Sequence, residues 1–110
     1  MYEQMFNLKN KTVVLTGSSG LLGSQYADVL SAAGANVILV DKEGKENKKL
    51  EAKLRKKYET TPLVCKVDVS DKKSIINMKK IILKKFKKID VLINNAYFNP
   101  NQSKYSSVSF

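Results

Sequence analysis

The feature that most constrains the fold is a glycine-rich segment, residues 16–23, that directly follows an apolar run. The segment reads Thr-Gly-Ser-Ser-Gly-Leu-Leu-Gly, and residues 12–15 before it are typical of a buried strand. A strand that leads through such a turn into a helix can bind a dinucleotide pyrophosphate, because the glycines let the backbone approach the phosphates and the helix N-terminus directs N–H groups at them. The same spacing is compatible with an ordinary strand–turn–helix connection, so other parts of the sequence are needed to distinguish the two alternatives.

A second strand and an acidic residue follow at the distance that nucleotide binding requires. Residues 37–40 are β-branched and apolar, and Asp41 comes directly after them. Between the strands, residues 21–33 have helical periodicity, and Gly34 stands where a helix commonly ends. The apolar face predicted for this helix consists of Leu22, Tyr26, Val29, Leu30 and Ala33. Asp41 can accept hydrogen bonds from both ribose hydroxyls of an adenosine, and it would repel the additional phosphate of NADP, which Lys42 could partly offset. The alternative is that Asp41 is only a polar strand end.

The rest of the chain repeats this alternation of strands and helices. Residues 43–58 predict a helix with Leu50, Leu54 and Tyr58 on its inner face, residues 63–67 a strand, and residues 89–94 a fourth strand. Another helix begins near Lys72, capped by Ser70 or Asp71, with Ile75, Met78, Ile82 and Phe86 inside. This alternation predicts an α/β fold: a parallel sheet of order 3-2-1-4 with helices on both faces and a ligand crevice at its carboxyl edge.

Composition places the chain among globular proteins and limits its partners. It has 110 residues, 43% of them hydrophobic, and a net charge of +10. We find no apolar run long enough for a membrane span and no signal-peptide pattern, and the lone Cys65 cannot form an internal disulfide, so we expect a cytoplasmic protein. The positive charge raises the alternative of nucleic-acid binding. We expect no nucleic-acid partner, because the lysines lie on the outer faces of the amphipathic helices and Arg55 is the single arginine.

Four features in register resemble the N-terminal half of the short-chain dehydrogenases/reductases. They are the glycine segment 16–23, Asp41, Asp68-Val69, and the sequence Ile93-Asn94-Asn95-Ala96. The resemblance implies a Rossmann-type fold that binds NAD in preference to NADP. It implies that Asp41 holds the adenosine ribose, that Asp68 and Val69 flank the adenine, and that Asn95 and Ala96 line the ribose side of the crevice. The residues implied to surround the pyrophosphate are Gly17, Ser18, Ser19, Gly20, Leu21, Leu22 and Gly23.

Two departures from the family pattern matter. Leu21 stands where the single-domain branch has a glycine, so the glycine spacing resembles the extended branch that acts on nucleotide sugars, whereas Asn-Asn-Ala is typical of the single-domain branch. Together with Tyr97, this combination is also similar to oxidoreductases of surface-sugar or flagellin modification. The second departure is that no tyrosine is followed four residues later by lysine. The family's catalytic Tyr-x-x-x-Lys pair is therefore absent, and we assign no catalytic residue and no metal ligand.

These observations predict one incomplete NAD-binding domain over residues 1–110, truncated after strand four, with residues 97–110 a loop or the start of a further helix. The expected function is the cofactor-binding part of an oxidoreductase that transfers hydride between NAD(H) and an alcohol, carbonyl or sugar substrate. The 110-residue chain alone is expected to be inactive, and the complete enzyme to be a homo-oligomer. The alternatives are a non-enzymatic nucleotide-binding remnant and a member of the extended, nucleotide-sugar-modifying branch.

Overall fold

A computed structural model describes residues 7–95, which form a four-stranded parallel sheet flanked by three helices. The strands are β1 (Thr12–Thr16), β2 (Asn36–Asp41), β3 (Leu63–Lys66) and β4 (Val91–Asn94). The helices are α1 (Leu21–Ala32), α2 (Gly44–Lys57) and α3 (Lys72–Phe86). The sheet order is β3-β2-β1-β4, so the predicted fold class and strand order are confirmed.

Each face of the sheet has its own hydrophobic core because successive strand residues point to opposite sides. One core joins Val13, Leu15, Val37 and Leu39 of the central strands to α1 and α2. The other core joins the alternate strand residues to α3. β1 is buried throughout and β2 at all but its two end residues, which is typical of central strands in a parallel sheet covered on both faces. In the part of the chain that the structure describes, no helix is long and apolar enough to cross a membrane.

The inner faces of α2 and α3 agree with the sequence pattern. Leu50 and Leu54 of α2 are buried, and Tyr58, just beyond that helix, packs against the same core. The predicted inner residues of α3 also contact the core, with Phe86 only partly buried. Asp71 caps α3 by accepting a hydrogen bond from the Lys73 N–H at 3.1 Å, which selects between the two predicted caps.

The inner face of α1 differs from the prediction. The helix turns Gly23, Ala27 and Ser31 toward the sheet, while Leu22 and Val29 are 50% and 64% exposed. Residues spaced by four lie on one side of a helix, and this row of small side chains lets α1 pack very close to the backbone that precedes it. Leu30 packs against the core and Ala33 is buried, as predicted. Apolar periodicity thus located only part of the inner face, because close packing favours small residues over large apolar ones.

Two strands are shorter than the sequence pattern suggests. β3 ends at Lys66, although the Val67 N–H still bonds the Asp41 carbonyl at 3.0 Å. β4 begins at Val91, and Asp90 before it is bonded to the start of β1. The Asp90 N–H donates to the Thr12 carbonyl at 2.9 Å, and the Asp90 carboxylate accepts from the Thr12 N–H at 2.8 Å.

Asp90 should make the stability of the fold depend on pH in the acidic range. The Thr12 N–H, together with Lys88 at 3.1 Å, holds the pKa of Asp90 below its ordinary value. A lowered folded-state pKa stabilises the fold above the ordinary aspartate pKa of about 3.9, and this contribution is lost as the pH falls through the folded-state pKa. We expect the urea midpoint to fall less between pH 6 and pH 3 in Asp90→Asn than in the unmodified chain. Equal losses in the two proteins would contradict this assignment.

Candidate dinucleotide site

The glycine loop turns sharply between β1 and α1 and is bonded to the end of β2. Gly17 has a φ of +68°, a conformation that glycine adopts without the steric strain other residues would incur. The N–H groups of Gly17 and Ser18 both donate to the Val40 carbonyl, at 2.8 and 3.3 Å. The Gly20 N–H closes the turn on the Gly17 carbonyl at 3.3 Å. The loop thus has a defined shape that comes from the backbone.

The N-terminus of α1 opens toward this loop with its N–H groups available. The first N–H groups of a helix have no acceptor within the helix, and side chains usually cap them. Here Gly20 occupies the capping position, no side chain of the described chain caps the helix, and its first turn contains no acidic residue. An uncapped helix N-terminus carries partial positive charge and suits an anion.

Gly23 allows α1 to begin this close to the loop. A Cβ atom at this position would lie 2.0 Å from the Gly17 carbonyl oxygen and 2.9 Å from the Ser18 Cα. These neighbours are backbone atoms, so they could not move aside without displacing the loop. Gly23 therefore serves the packing of helix against strand, whereas Gly17 serves the turn.

Asp41 connects the glycine loop to the turn after β2. Its carboxylate accepts hydrogen bonds from the Ser19 N–H at 3.1 Å and from the Glu43 N–H at 3.0 Å. The side chain is only partly buried, so it remains accessible from the crevice. A carboxylate has about four lone-pair sites, and two of them remain for ligand hydroxyl groups.

Asp68 and Val69 form the neighbouring wall, after β3. Asp68 is exposed, and its carboxylate accepts from the Ser70 hydroxyl at 2.6 Å and the Ser70 N–H at 2.9 Å. The Ser70 hydroxyl is the main cause that holds the pKa of Asp68 below its ordinary value; the Ser70 N–H adds to it, and the positive charge of Lys42 contributes less. The carboxylate is therefore ionised at neutral pH. It adds negative charge to this side of the crevice.

Asn95 attaches the end of β4 to the loop. Its N–H donates to the Thr16 hydroxyl at 2.8 Å, and its side-chain amide donates to the Gly17 carbonyl at 3.3 Å. The Thr16 hydroxyl in turn lies 3.1 Å from the Asn94 side-chain oxygen. The Asn95 side chain thus satisfies a backbone carbonyl of the loop and also lines the crevice.

These elements enclose a crevice of about 730 Å³ at the carboxyl edge of the sheet. That volume lies within the range of small-molecule and cofactor sites. The predicted residues that line it are Gly17, Ser19, Gly20, Leu21, Leu22, Gly23, Asp41, Asp68, Val69 and Asn95. Ser18 is absent from the lining because it is fully buried, and Ala96 lies outside the described residues.

Four residues of the site region were not singled out from the sequence. Val40, Glu43 and Val67 line the crevice, each of them next to a predicted residue. Asn47 lies behind it, fully buried and bonded to Ser18. The signal for Asn47 was available, because it stands three residues before Leu50 on the inner face of α2. A polar residue in such a stripe needs a partner.

Residues 7–95 give little support for a metal site or a cysteine nucleophile. No group of three or more acidic, cysteine or histidine residues there could hold a metal ion. Cys65 is buried in the core, and burial raises the pKa of its thiol to about 11. A thiol in that state is not a nucleophile at neutral pH. Among the described residues, the crevice therefore offers binding groups without a metal centre or a reactive cysteine.

Comparison with known proteins identifies relatives over nearly the whole chain. A family model described as short chain dehydrogenase matches residues 11–108. An NADP-dependent 3-hydroxy acid dehydrogenase of Schizosaccharomyces pombe is 38% identical over 93 residues, which cover 84% of this chain and 36% of that protein. An NAD-dependent glycerol dehydrogenase of Listeria innocua is 30% identical over 95 residues, covering 86% of this chain and 36% of that protein.

A solved structure extends the similarity to three dimensions. L-sorbose reductase from Gluconobacter frateurii, complexed with NADPH and L-sorbose, matches with a TM-score of 0.82 and 26% identity. The match covers 87% of this chain and 36% of that one. The chain thus spans about a third of the length of these relatives.

Proposed function

Because this chain belongs to the short-chain dehydrogenase family, we propose that it forms the dinucleotide-binding part of an oxidoreductase. The observation that carries the proposal is the crevice in which the uncapped N-terminus of α1, the glycine loop and Asp41 converge. Pyrophosphate is an anion, and the free N–H groups and partial charge of a helix N-terminus suit it. A nicotinamide dinucleotide is also the cofactor of the related dehydrogenases, which include NAD-dependent and NADP-dependent enzymes.

The residues present fit such a cofactor. The backbone from Ser19 to Gly23 would hold the pyrophosphate, since Gly20 has no side chain and no side chain caps the first N–H groups of α1. Asp41 would accept from the ribose hydroxyls with the lone pairs its two backbone partners leave free. Asp68 and Val69 would flank the adenine, and Asn95, followed by Ala96, would border the ribose beyond the pyrophosphate.

We propose a preference for NAD over NADP. The Asp41 carboxylate would face the 2′-phosphate of NADP as a like charge, and Asp68 adds to the negative charge on that side. Lys42 also lines the crevice and would moderate this preference by pairing with the phosphate. The Asp41 carboxylate would therefore discriminate against NADP by its charge, and Lys42 would reduce this discrimination.

The chain's own contribution is binding and orientation. The nicotinamide supplies the hydride acceptor or donor when the cofactor is bound. The substrate of the complete enzyme is proposed to be a small alcohol, carbonyl compound or sugar, by analogy with the relatives that act on hydroxy acids, glycerol and sorbose. No tyrosine of the 110 residues is followed four positions later by lysine, so this sequence lacks the pair that would transfer the proton.

The test is to measure binding and turnover on the same purified chain. We expect calorimetric titration to show one site for NAD⁺ and weaker binding of NADP⁺. We expect NADH formation with glycerol, sorbitol or 3-hydroxybutyrate to equal that of buffer, because the proton-transferring pair is absent. A folded chain that binds neither dinucleotide would refute the proposed function. Turnover that copurifies with the polypeptide would refute the division between binding and catalysis.

A further inference from the structure

A buried polar bridge links the glycine loop to the inside of α2. The Ser18 hydroxyl donates to the Asn47 side-chain oxygen at 2.5 Å. The Asn47 amide group donates in turn to the Leu39 carbonyl of β2 at 2.6 Å. Both Ser18 and Asn47 are fully buried. The bridge therefore connects the loop, the helix and the central sheet without reaching the crevice surface.

Packing alone does not explain an asparagine at this position. The inner stripe of α2 continues with Leu50 and Leu54, and an apolar residue at position 47 would extend it. Removing an amide side chain from water is unfavourable unless its groups are hydrogen-bonded. Asn47 places its oxygen on the loop and its nitrogen on the sheet, and leucine could do neither.

The glycine loop is thus held at two consecutive residues. Asp41 holds the backbone of Ser19 from the crevice side, and Asn47 holds the side chain of Ser18 from the interior. The Gly17 and Ser18 N–H groups add a backbone attachment, at the Val40 carbonyl. A ligand hydroxyl at Asp41 would share the outer attachment, whereas the inner attachment is shielded from ligand and water.

We infer that Asn47 is a positioning residue that keeps the glycine loop in its crevice-lining conformation through Ser18. Where this concerns dinucleotide binding, it rests on the function proposed above. Asn47 does not line the crevice, so its effect on a ligand passes through the loop. Losing the bridge leaves the Ser18 hydroxyl buried without an acceptor, and the loop can relieve this by leaving its binding geometry.

The experiment compares Asn47→Leu with a matched control, Leu54→Ala. Leu54 is buried in the same helix as part of the hydrophobic core, so its loss is expected to lower stability without breaking the bridge to the loop. A double variant, Ser18→Ala with Asn47→Leu, removes the unpaired hydroxyl and is expected to recover stability. The readouts are hydrogen exchange of the Gly17 and Ser18 N–H groups and NAD⁺ affinity, both below the lowest melting temperature of the set.

For Asn47→Leu we expect NAD⁺ affinity to fall about tenfold, and the exchange of both N–H groups to accelerate relative to Leu54→Ala. The double variant should regain stability and part of the NAD⁺ affinity, because no buried hydroxyl without an acceptor remains to displace the loop. If Asn47→Leu and Leu54→Ala match in loop exchange and affinity, Asn47 is only structural and the inference is overturned. If the unmodified chain binds no dinucleotide, the proposed function fails; faster loop exchange in Asn47→Leu than in Leu54→Ala then still supports the inference, and equal exchange overturns it.

Discussion

Replacing Asp41 with alanine is expected to weaken NAD⁺ binding by about ten- to a hundredfold, the range for losing hydrogen bonds to a charged group. NADP⁺ affinity should fall much less, because the same change removes a carboxylate that repels the 2′-phosphate. The two affinities should therefore converge. Calorimetric titration of the unmodified chain and of the alanine variant, each with NAD⁺ and with NADP⁺, measures the effect directly.

The variant Asp41→Asn distinguishes the effect of the negative charge from the effect of the hydrogen bonds that Asp41 accepts from the loop backbone. The asparagine oxygen can still accept from one of the two N–H groups that Asp41 binds, at Ser19 or at Glu43, but the negative charge is gone. We expect this variant to lose discrimination while retaining more NAD⁺ affinity than the alanine variant. Lys42→Ala is the complementary control and should sharpen the preference for NAD⁺. Tighter binding of NADP⁺ than of NAD⁺ by the unmodified chain would overturn the assignment of Asp41.

Gly23→Ala is expected to cause the largest loss of stability among the glycine substitutions considered. The new Cβ would lie 2.0 Å from the Gly17 oxygen, so α1 or the loop must shift. Overpacking of this kind costs about 1–3 kcal/mol and occasionally more, a large part of the roughly 5–15 kcal/mol that stabilises a typical domain. NAD⁺ binding should also be lost, because the displaced loop forms the pyrophosphate site. Urea denaturation and titration measure the two effects.

Gly20→Ala is the matched control in the same loop. Gly20 has extended backbone angles that alanine adopts readily, and its Cβ would meet only the Gly17 oxygen at an ordinary 3.6 Å. The expected loss is about 1 kcal/mol or less, since alanine is a poorer residue than glycine at a helix start. Equal destabilisation by the two substitutions would contradict the close approach of α1 to the loop.

The strand order and the edge that carries the site could be predicted because they depend on local patterns. Short apolar runs separated by helical periodicity leave a parallel sheet as the compact solution, and right-handed connections restrict its order. Asp41 ends β2 and Asp68 lies two residues beyond β3, so the topology brings them to one edge without any knowledge of side-chain contacts. The family resemblance rested on these same residues, and the comparisons confirm it.

The inner face of α1 and the role of Ser18 could not be predicted because they depend on distances between elements. Whether Gly23 or Leu22 faces the sheet is decided by how near the helix comes to the Gly17 backbone, which periodicity does not encode. Ser18 belongs to the glycine segment by sequence, yet its side chain turns inward because Asn47 offers a buried acceptor 29 positions away. Pairs of this kind are visible only once the helix is docked.

The most direct test of the central claim is to map NAD⁺ binding residue by residue with amide chemical shifts of the labelled chain. We expect saturable shifts along Ser19–Gly23 and at Asp41, Asp68, Val69 and Asn95, with little change in the lysine-rich outer faces of α2 and α3. A titration with ATP would control for nonspecific attraction of anions to this positively charged protein. Shifts spread over the lysines of α2 and α3, equal for NAD⁺ and ATP and sparing the N-terminus of α1, would contradict a dinucleotide site in the crevice.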